Sequence, residues 1–303
     1  MSEIEWSYSK RSTLKTCAKA YYFSYFGANK LTAKGELDKE RLHFLKQLQN
    51  LHERAGDLLH LTIATYFRHA HQGNTWIFDT ERLINWTRKM FHNDRKYSRA
   101  YPDGDEKAKK NFGRSPTLLQ EFHYRDADAD RLWQETETRL VKAVRSFATN
   151  DDFEGFRIAG CQPNALIEHP INMAVYNVKV VGRIDLAFQV GDRITVVDWK
   201  IGSDTLGGSS SLQLAVYALW AVTHFNQPWD KIDVNMVQLE SNRIITNEIN
   251  EDELAAVRLR ILQDAELMTT LQNYGKKAVS EAFTPLLHPP ICSLCQFKRV
   301  CYA

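Results

Sequence analysis

The sequence predicts a mixed α/β fold with a helical region prepended to it or inserted in it. Three observations carry that expectation. Leu42, Leu45, Leu48, Leu51, Leu58, Leu59, Ile63 and Phe67 recur at helical spacing across a proline-free stretch, residues 36–71. Residues 165–200 are instead rich in Val and Ile and alternate with period two, the mark of strands. A helix-like segment near 210–225 then separates those strands from two more, at 231–239 and 242–248.

In chain order, Gly73 and Asn74 close the first helical stretch. Residues 80–97 and about 116–148 read as further amphipathic helices. Between them lies YPDGDEKAKKNFGRSP, a polar loop with Pro, Gly and basic residues. Three strands follow at about 165–175, 177–190 and 193–200, the last two joined by a Gly191-Asp192 turn. After the loop GSDTLGGSS come the 210–225 helix, the two later strands and a helix over about 251–273. Asn250 with Glu253 three residues on resembles a capping box for that last helix. The tail carries Pro285, Pro289 and Pro290, then a group of cysteines. There is no internal repeat and no low-complexity linker.

Composition narrows the function classes. Lys plus Arg is 39 and Asp plus Glu is 37 in 303 residues, so the formal charge is only +2. A histone-like polycation is excluded, and any nucleic-acid contact must come from local basic patches. The N-terminus MSEIEWSYSKRS lacks the apolar core of a secretory signal. The longest nearly apolar run, Leu212 to Val222, is interrupted by Gln213 and too short to span a bilayer. A soluble, cytoplasmic protein is expected. In that compartment clustered cysteines suggest a metal or a cluster rather than disulfides.

The most informative stretch is GRIDLAFQVGDRITVVDWKIG. Asp185 lies in the first strand of the expected hairpin, and Asp198 and Lys200, at i and i+2, share one face of the second. Burying such charges among Ile184, Leu186, Phe188, Ile194, Val196 and Val197 is costly unless they pair or bind something. Two carboxylates beside one lysine suit Mg²⁺ or Mn²⁺, which take hard oxygen ligands and keep waters for chemistry. The lysine could orient or help deprotonate an attacking water, or stabilise charge on a phosphate. Taken alone, D-x-K equally describes a strand-end ion pair of Asp198 with Lys200 or Arg183. Gln213 and Tyr217 share one face of the following helix and suit either a polar rim or a phosphate or base contact. His60 shares its face with Ala64 and Phe67, so it is either a satisfied core histidine or a third metal ligand.

Together, His60, Gly182-x-x-Asp185, Asp198-x-Lys200 and Gln213-x-x-x-Tyr217 resemble the PD-(D/E)XK nuclease superfamily. Within it they resemble the RecB-type branch, which also holds the CRISPR-associated adaptation nucleases and the AddB-type nucleases. The resemblance implies a restriction-endonuclease-like αβββαβ core with a mixed sheet. It implies metal binding by His60, Asp185 and Asp198, a catalytic Lys200, and support of the site and the DNA by Gln213 and Tyr217. Asp198 stands in place of Glu, a variant the branch also uses, and Glu168 lies where many members carry an acidic residue but is given no definite role, a surface strand Glu fitting equally well. The likeness is clearest over about 165–225, with short pieces at 9–25, 56–67 and 285–302.

Cys292-x-x-Cys295-x5-Cys301 supplies three soft ligands, while zinc and iron–sulfur sites both usually take four. Cys17, in the helical run near the other terminus, is the natural fourth, and Cys161 reads as a small buried hydrophobe. A lone early Cys with a C-x-x-C-x5-C tail is similar to the iron–sulfur clasp of the RecB-type branch, which implies a four-iron, four-sulfur cluster, with zinc as the alternative. The implied organisation is one nuclease domain over 1–303. It has a helical region at about 36–150 and a core at about 160–250. The C-terminal helix and clasp span 251–303 together with 9–25.

Basic residues group locally at Arg95, Lys96 and Arg99, at Lys107, Lys109, Lys110 and Arg114, at Lys276 and Lys277, and at Lys298 and Arg299. Trp6, Tyr8, Tyr21, Tyr22 and Tyr25 suit either core packing or stacking on single-stranded bases. GSDTLGGS lacks the Gly-Lys pair of a nucleotide-binding loop, so a motor is not expected in these residues. The expected activity is a metal-dependent DNA nuclease. By resemblance it is an exonuclease preferring single strands or frayed ends, working with a helicase or other DNA-processing partner in repair, recombination or defence. The alternatives are a module on the same fold that binds DNA or a partner without cutting, and a nuclease directed at RNA.

Overall fold

The structure is a computed structural model that describes residues 5–29, 38–104, 110, 113–202 and 208–301. The chain opens with β1 (Glu5–Trp6), α1 (Tyr8–Thr16), α2 (Ala18–Tyr22), a π-helical turn at Phe23–Gly27 and α3 (Lys39–Leu45). Helices α4 (Leu51–His71), α5 (Thr80–Ala100), α6 (Gln120–His123), α7 (Ala129–Thr149) and α8 (Glu154–Gly160) follow. Next come β2 (Leu166–Val175), β3 (Val178–Val190), β4 (Arg193–Lys200), α9 (Gly208–Phe225), β5 (Ile232–Gln238) and β6 (Arg243–Asn247). The chain closes with α10 (Glu251–Lys276), α11 (Pro289–Ser293) and α12 (Lys298–Cys301). The chain divides into two compact units. One comprises residues 51–173 and 182–257, the other residues 1–50, 174–181 and 258–303.

The larger unit is built on a mixed sheet. β3 and β4 pair antiparallel from Val190↔Arg193 to Leu186↔Val197, β4 and β5 pair parallel, and β5 and β6 pair antiparallel. Gly191 at φ 60 makes the tight β3–β4 turn, a conformation that favours glycine. The α9 crossover between β4 and β5 lets them run parallel, and α9 packs against both. The alternation read from the sequence puts Leu186, Phe188, Val197, Trp199 and Val237 into one core with α4, α5 and α7. Phe67, Phe147 and Trp199 meet edge to face in that core, with centroids 5.4–5.8 Å apart. Gly160 lies hard against the Phe67 ring, where any side chain would collide.

In the smaller unit the elements near the N-terminus pack against those of the C-terminal segment. β1 pairs parallel with Lys179 and Val180. The Arg11 side chain donates to Asp264 on α10 at 2.8 Å. Phe283 packs against Tyr22 and Phe26, and Phe297 against Phe23, with centroids 5.0–5.8 Å apart. Trp6, Tyr21 and Tyr22 are buried, so the aromatic residues near the N-terminus serve mainly as core.

Several boundaries differ from the expectation. The 36–71 stretch is two helices, α3 and α4, because the N-terminal amide of Leu51 is capped from a distance by the Glu121 carboxylate at 3.0 Å. The apolar period runs through Leu45, Leu48 and Leu51 without a gap, so it conceals that break. Residues 116–148 are likewise two helices, parted where Arg125 takes a left-handed backbone at φ 55. The helix around Cys17 is interrupted at Cys17, which is extended at φ −158 and ψ 112. The short helix α8 was not expected. The Asn250 cap is present, its side chain accepting the Glu253 amide at 2.9 Å. Lys107 and Lys109, in the basic loop, and most of the polar loop after β4 lie outside the described residues.

Candidate metal centre and cysteine cluster

The site forms where the β3–β4 ladder stops. Beyond Leu186↔Val197, the Trp199 amide donates at 2.9 Å to Asp185 Oδ2. This fixes the carboxylate of β3 against the backbone of β4. α4 brings His60 to the same oxygen, with Nδ1 at 3.1 Å. Burial opposes the charge on His60, but the Asp185 carboxylate more than offsets it and raises the imidazole pKa to about 9. Burial also pushes Asp185 upward, yet His60, Lys200 and the Trp199 amide outweigh it and hold this carboxyl below its ordinary value.

Asp198 and Lys200 share a face of β4, as the spacing requires. Lys200 Nζ lies 2.9 Å from Asp198 Oδ2 and 3.2 Å from Oδ1. Burial raises the Asp198 pKa, Lys200 pulls it down and the nearby Asp185 charge pushes it up, with a net rise. From α9, Gln213 donates to the Tyr217 hydroxyl at 2.7 Å and makes a long contact of 3.5 Å to Asp198. Tyr217 is buried, and burial with the Asp198 and Asp185 charges raises its pKa well above the ordinary phenol value.

All six residues singled out around the D-x-K motif thus meet in the larger unit. Glu168, which the resemblance marked as an acidic position without giving it a role, joins them. Ligand atoms of His60, Glu168 and Asp185 lie within 4.8 Å of one another, a grouping able to hold a metal ion. Asp198 adjoins this trio without being part of it. Glu168 sits inside β2 with a left-handed backbone at φ 50, a conformation that costs a non-glycine residue about 1–3 kcal/mol. Its carboxylate accepts from Arg183 Nη1 at 3.2 Å. Burial, and next the Asp185 charge, raise its pKa, against the pull of His60 and Arg183. The one sequence signal for this irregularity is Pro170, which within a strand marks an edge or a bulge.

The donor set fits a hard divalent cation: two carboxylates and an imidazole converge, with a third carboxylate adjoining. Asp198 Oδ2 is buried, with Lys200 Nζ at 2.9 Å and, among the described residues, no further hydrogen-bond partner, leaving a lone pair for another electrophile.

In the smaller unit, Cys17, Cys292, Cys295 and Cys301 are thiols outside any disulfide, all partly buried. Burial raises the Cys295 pKa, and the other three thiols push it further up, so the four share one neighbourhood. Two backbone amides point at sulfurs, Ala20 at Cys17 Sγ (3.5 Å) and Phe297 at Cys295 Sγ (3.4 Å). Cys161 lies in the larger unit, packed against its core.

The grouped basic residues are partly engaged. Arg95 pairs with Asp130 at 2.9 Å and lies over the Trp133 ring at 4.5 Å, and Lys298 donates to the Ser293 carbonyl. Among the described residues, no helix is long and apolar enough to cross a membrane.

A comparison with curated proteins finds no match. The family model of the PD-(D/E)XK nuclease superfamily matches residues 5–302, nearly the whole chain. With an α/β mixed sheet that carries Asp185 on one strand of a hairpin and Asp198-Trp199-Lys200 on the other, the chain belongs to the PD-(D/E)XK nuclease superfamily.

Proposed function

We propose that this protein is a metal-dependent nuclease that hydrolyses phosphodiester bonds in DNA. The observation that carries the reading is the convergence of His60, Glu168 and Asp185 beside the Asp198–Lys200 pair. His60, Asp185, Glu168 and Asp198 would hold Mg²⁺ or Mn²⁺. Such an ion, when bound, lowers the pKa of a water nucleophile and offsets charge on the phosphate. Lys200 is held at the edge of this set by Asp198. Its ammonium orients the attacking water or neutralises charge on the phosphoryl oxygens. Gln213 and Tyr217 hold the Asp198 side of the site by the 2.7 Å hydrogen bond between them.

Finer features follow from the resemblance to the RecB-type branch. They are an exonuclease preference for single strands or frayed ends, a helicase or other DNA-processing partner, a role in repair, recombination or defence, and a cytoplasmic setting. The four cysteines are assigned to a four-iron, four-sulfur clasp, with zinc as the alternative occupant. Their shared neighbourhood and the two amides aimed at sulfurs support a thiolate-bound metal centre there.

The test incubates end-labelled single- and double-stranded DNA with purified protein in Mn²⁺, Mg²⁺ or EDTA. Cleavage should need the metal and fall by at least about a hundredfold in Lys200→Ala and Asp198→Ala. Undiminished cleavage by both variants refutes the assignment. DNA binding without cutting, with no Asp198-dependent metal affinity, would mark a binding module instead. Cutting confined to labelled RNA would move the substrate.

A further inference from the structure

Arg183 and Asp185 stand two residues apart on β3, so their side chains leave the same face of the strand. Asp185 is buried in the site, whereas the Arg183 side chain is 67% exposed. A single guanidinium nitrogen, Nη1, reaches Glu168, at 3.2 Å, and Glu168 is itself only 13% exposed. The carboxylate that restrains Arg183 is therefore one of the three groups that converge for a cation. The two claims on Glu168 conflict. A divalent ion drawn to this carboxylate repels the guanidinium and competes for the same lone pairs. The planar fork of Arg183, once released, has five N–H donors at the mouth of the site, the geometry that suits a phosphate.

We propose that Arg183 is a phosphate-binding residue restrained by Glu168 until a divalent cation takes over that carboxylate. The inference rests on the nuclease reading above and adds an order of events to it. Metal binding neutralises Glu168 and in the same step supplies a cation to the nucleic-acid backbone, so metal and DNA bind cooperatively. By linkage, removing the guanidinium weakens that cooperativity from both sides.

Two measurements that do not depend on cleavage test it. In DNA-free protein, calorimetric titration with Mn²⁺ should show at least about fivefold tighter binding by Arg183→Gln than by wild type, with Arg183→Lys between them. For a fluorescent single-stranded oligonucleotide, the dependence of log K on log salt is then compared in Ca²⁺ and in EDTA. Wild type should steepen on adding Ca²⁺ by about 0.7 more than Arg183→Gln, the signature of one further phosphate neutralised when the metal binds. Equal steepening in the two proteins overturns the proposal whatever the Mn²⁺ affinities. An Asp185→Asn arm separates the levels of failure. If it binds Mn²⁺ as tightly as wild type, the metal reading itself falls, and this inference with it.

Discussion

His60 Nδ1 stands 3.1 Å from Asp185 Oδ2, the oxygen that also accepts the Trp199 amide at 2.9 Å. Burial works against the imidazolium, yet the carboxylate wins and lifts the pKa from 6.5 to about 9. The folded, metal-free protein thus binds this proton more tightly than the unfolded chain. The pair's contribution to stability is complete below about pH 6.5 and is lost as pH rises through about 9. In EDTA, His60→Gln should remove on the order of 2–3 kcal/mol near pH 6 and little of it near pH 10. Urea denaturation of both proteins across that range is the measurement. A wild-type-minus-variant difference that does not shrink with pH rules the pairing out.

Lys200 and Asp185 should separate chemistry from metal binding. Lys200→Met removes the ammonium but no cation ligand, so Mn²⁺ affinity by calorimetry should stay within a few-fold of wild type or rise, while cleavage falls at least about a hundredfold. Asp185→Asn keeps an oxygen for the Trp199 amide but loses the charge, so Mn²⁺ binding itself should be lost. If Asp185→Asn keeps its Mn²⁺ affinity, the residues have been given the wrong roles.

The Gln213–Tyr217 hydrogen bond is suited to a double-mutant cycle. Tyr217→Phe removes the acceptor of the 2.7 Å bond in a buried setting, and Gln213→Ala removes the donor. Each should cost about 1 kcal/mol, with a coupling of about 0.5–1.5 kcal/mol between them. Strict additivity in chemical denaturation would show that the bond contributes nothing to the fold.

Among the cysteines, Cys295 and Cys161 should behave oppositely. Cys295→Ser should lower iron content and melting temperature together, and should bleach a broad absorption near ~400 nm in anaerobically purified protein. Cys161→Ser, in the other unit, should leave iron and absorption unchanged. Full iron content in Cys295→Ser would remove it from the ligand set. Zinc without iron in the wild-type protein would change the occupant and keep the ligands.

What the sequence made legible was local. The β3–β4 hairpin followed from period-two alternation and a Gly-Asp turn, and its alternation set Asp198 and Lys200 on one face opposite Trp199. His60 could be singled out but left undecided, because helical spacing shows which way a side chain faces and not what it meets. The break at Leu51 was hidden, since its cap is Glu121, seventy residues away. Glu168 stood out as an acidic position only by resemblance, and its role stayed open for a different reason. Its position in the site depends on a left-handed backbone inside a strand and on neighbours from α4 and β3 that no spacing rule encodes.

That backbone makes position 168 a point of divided selection. Glycine would relax the left-handed conformation, and the strand would gain stability. The same change would delete a carboxylate beside His60 and Asp185 and release Arg183 permanently. A lineage or laboratory screen rewarding heat resistance alone would drift toward Gly or Asn at 168. One rewarding turnover would hold the glutamate in spite of its backbone.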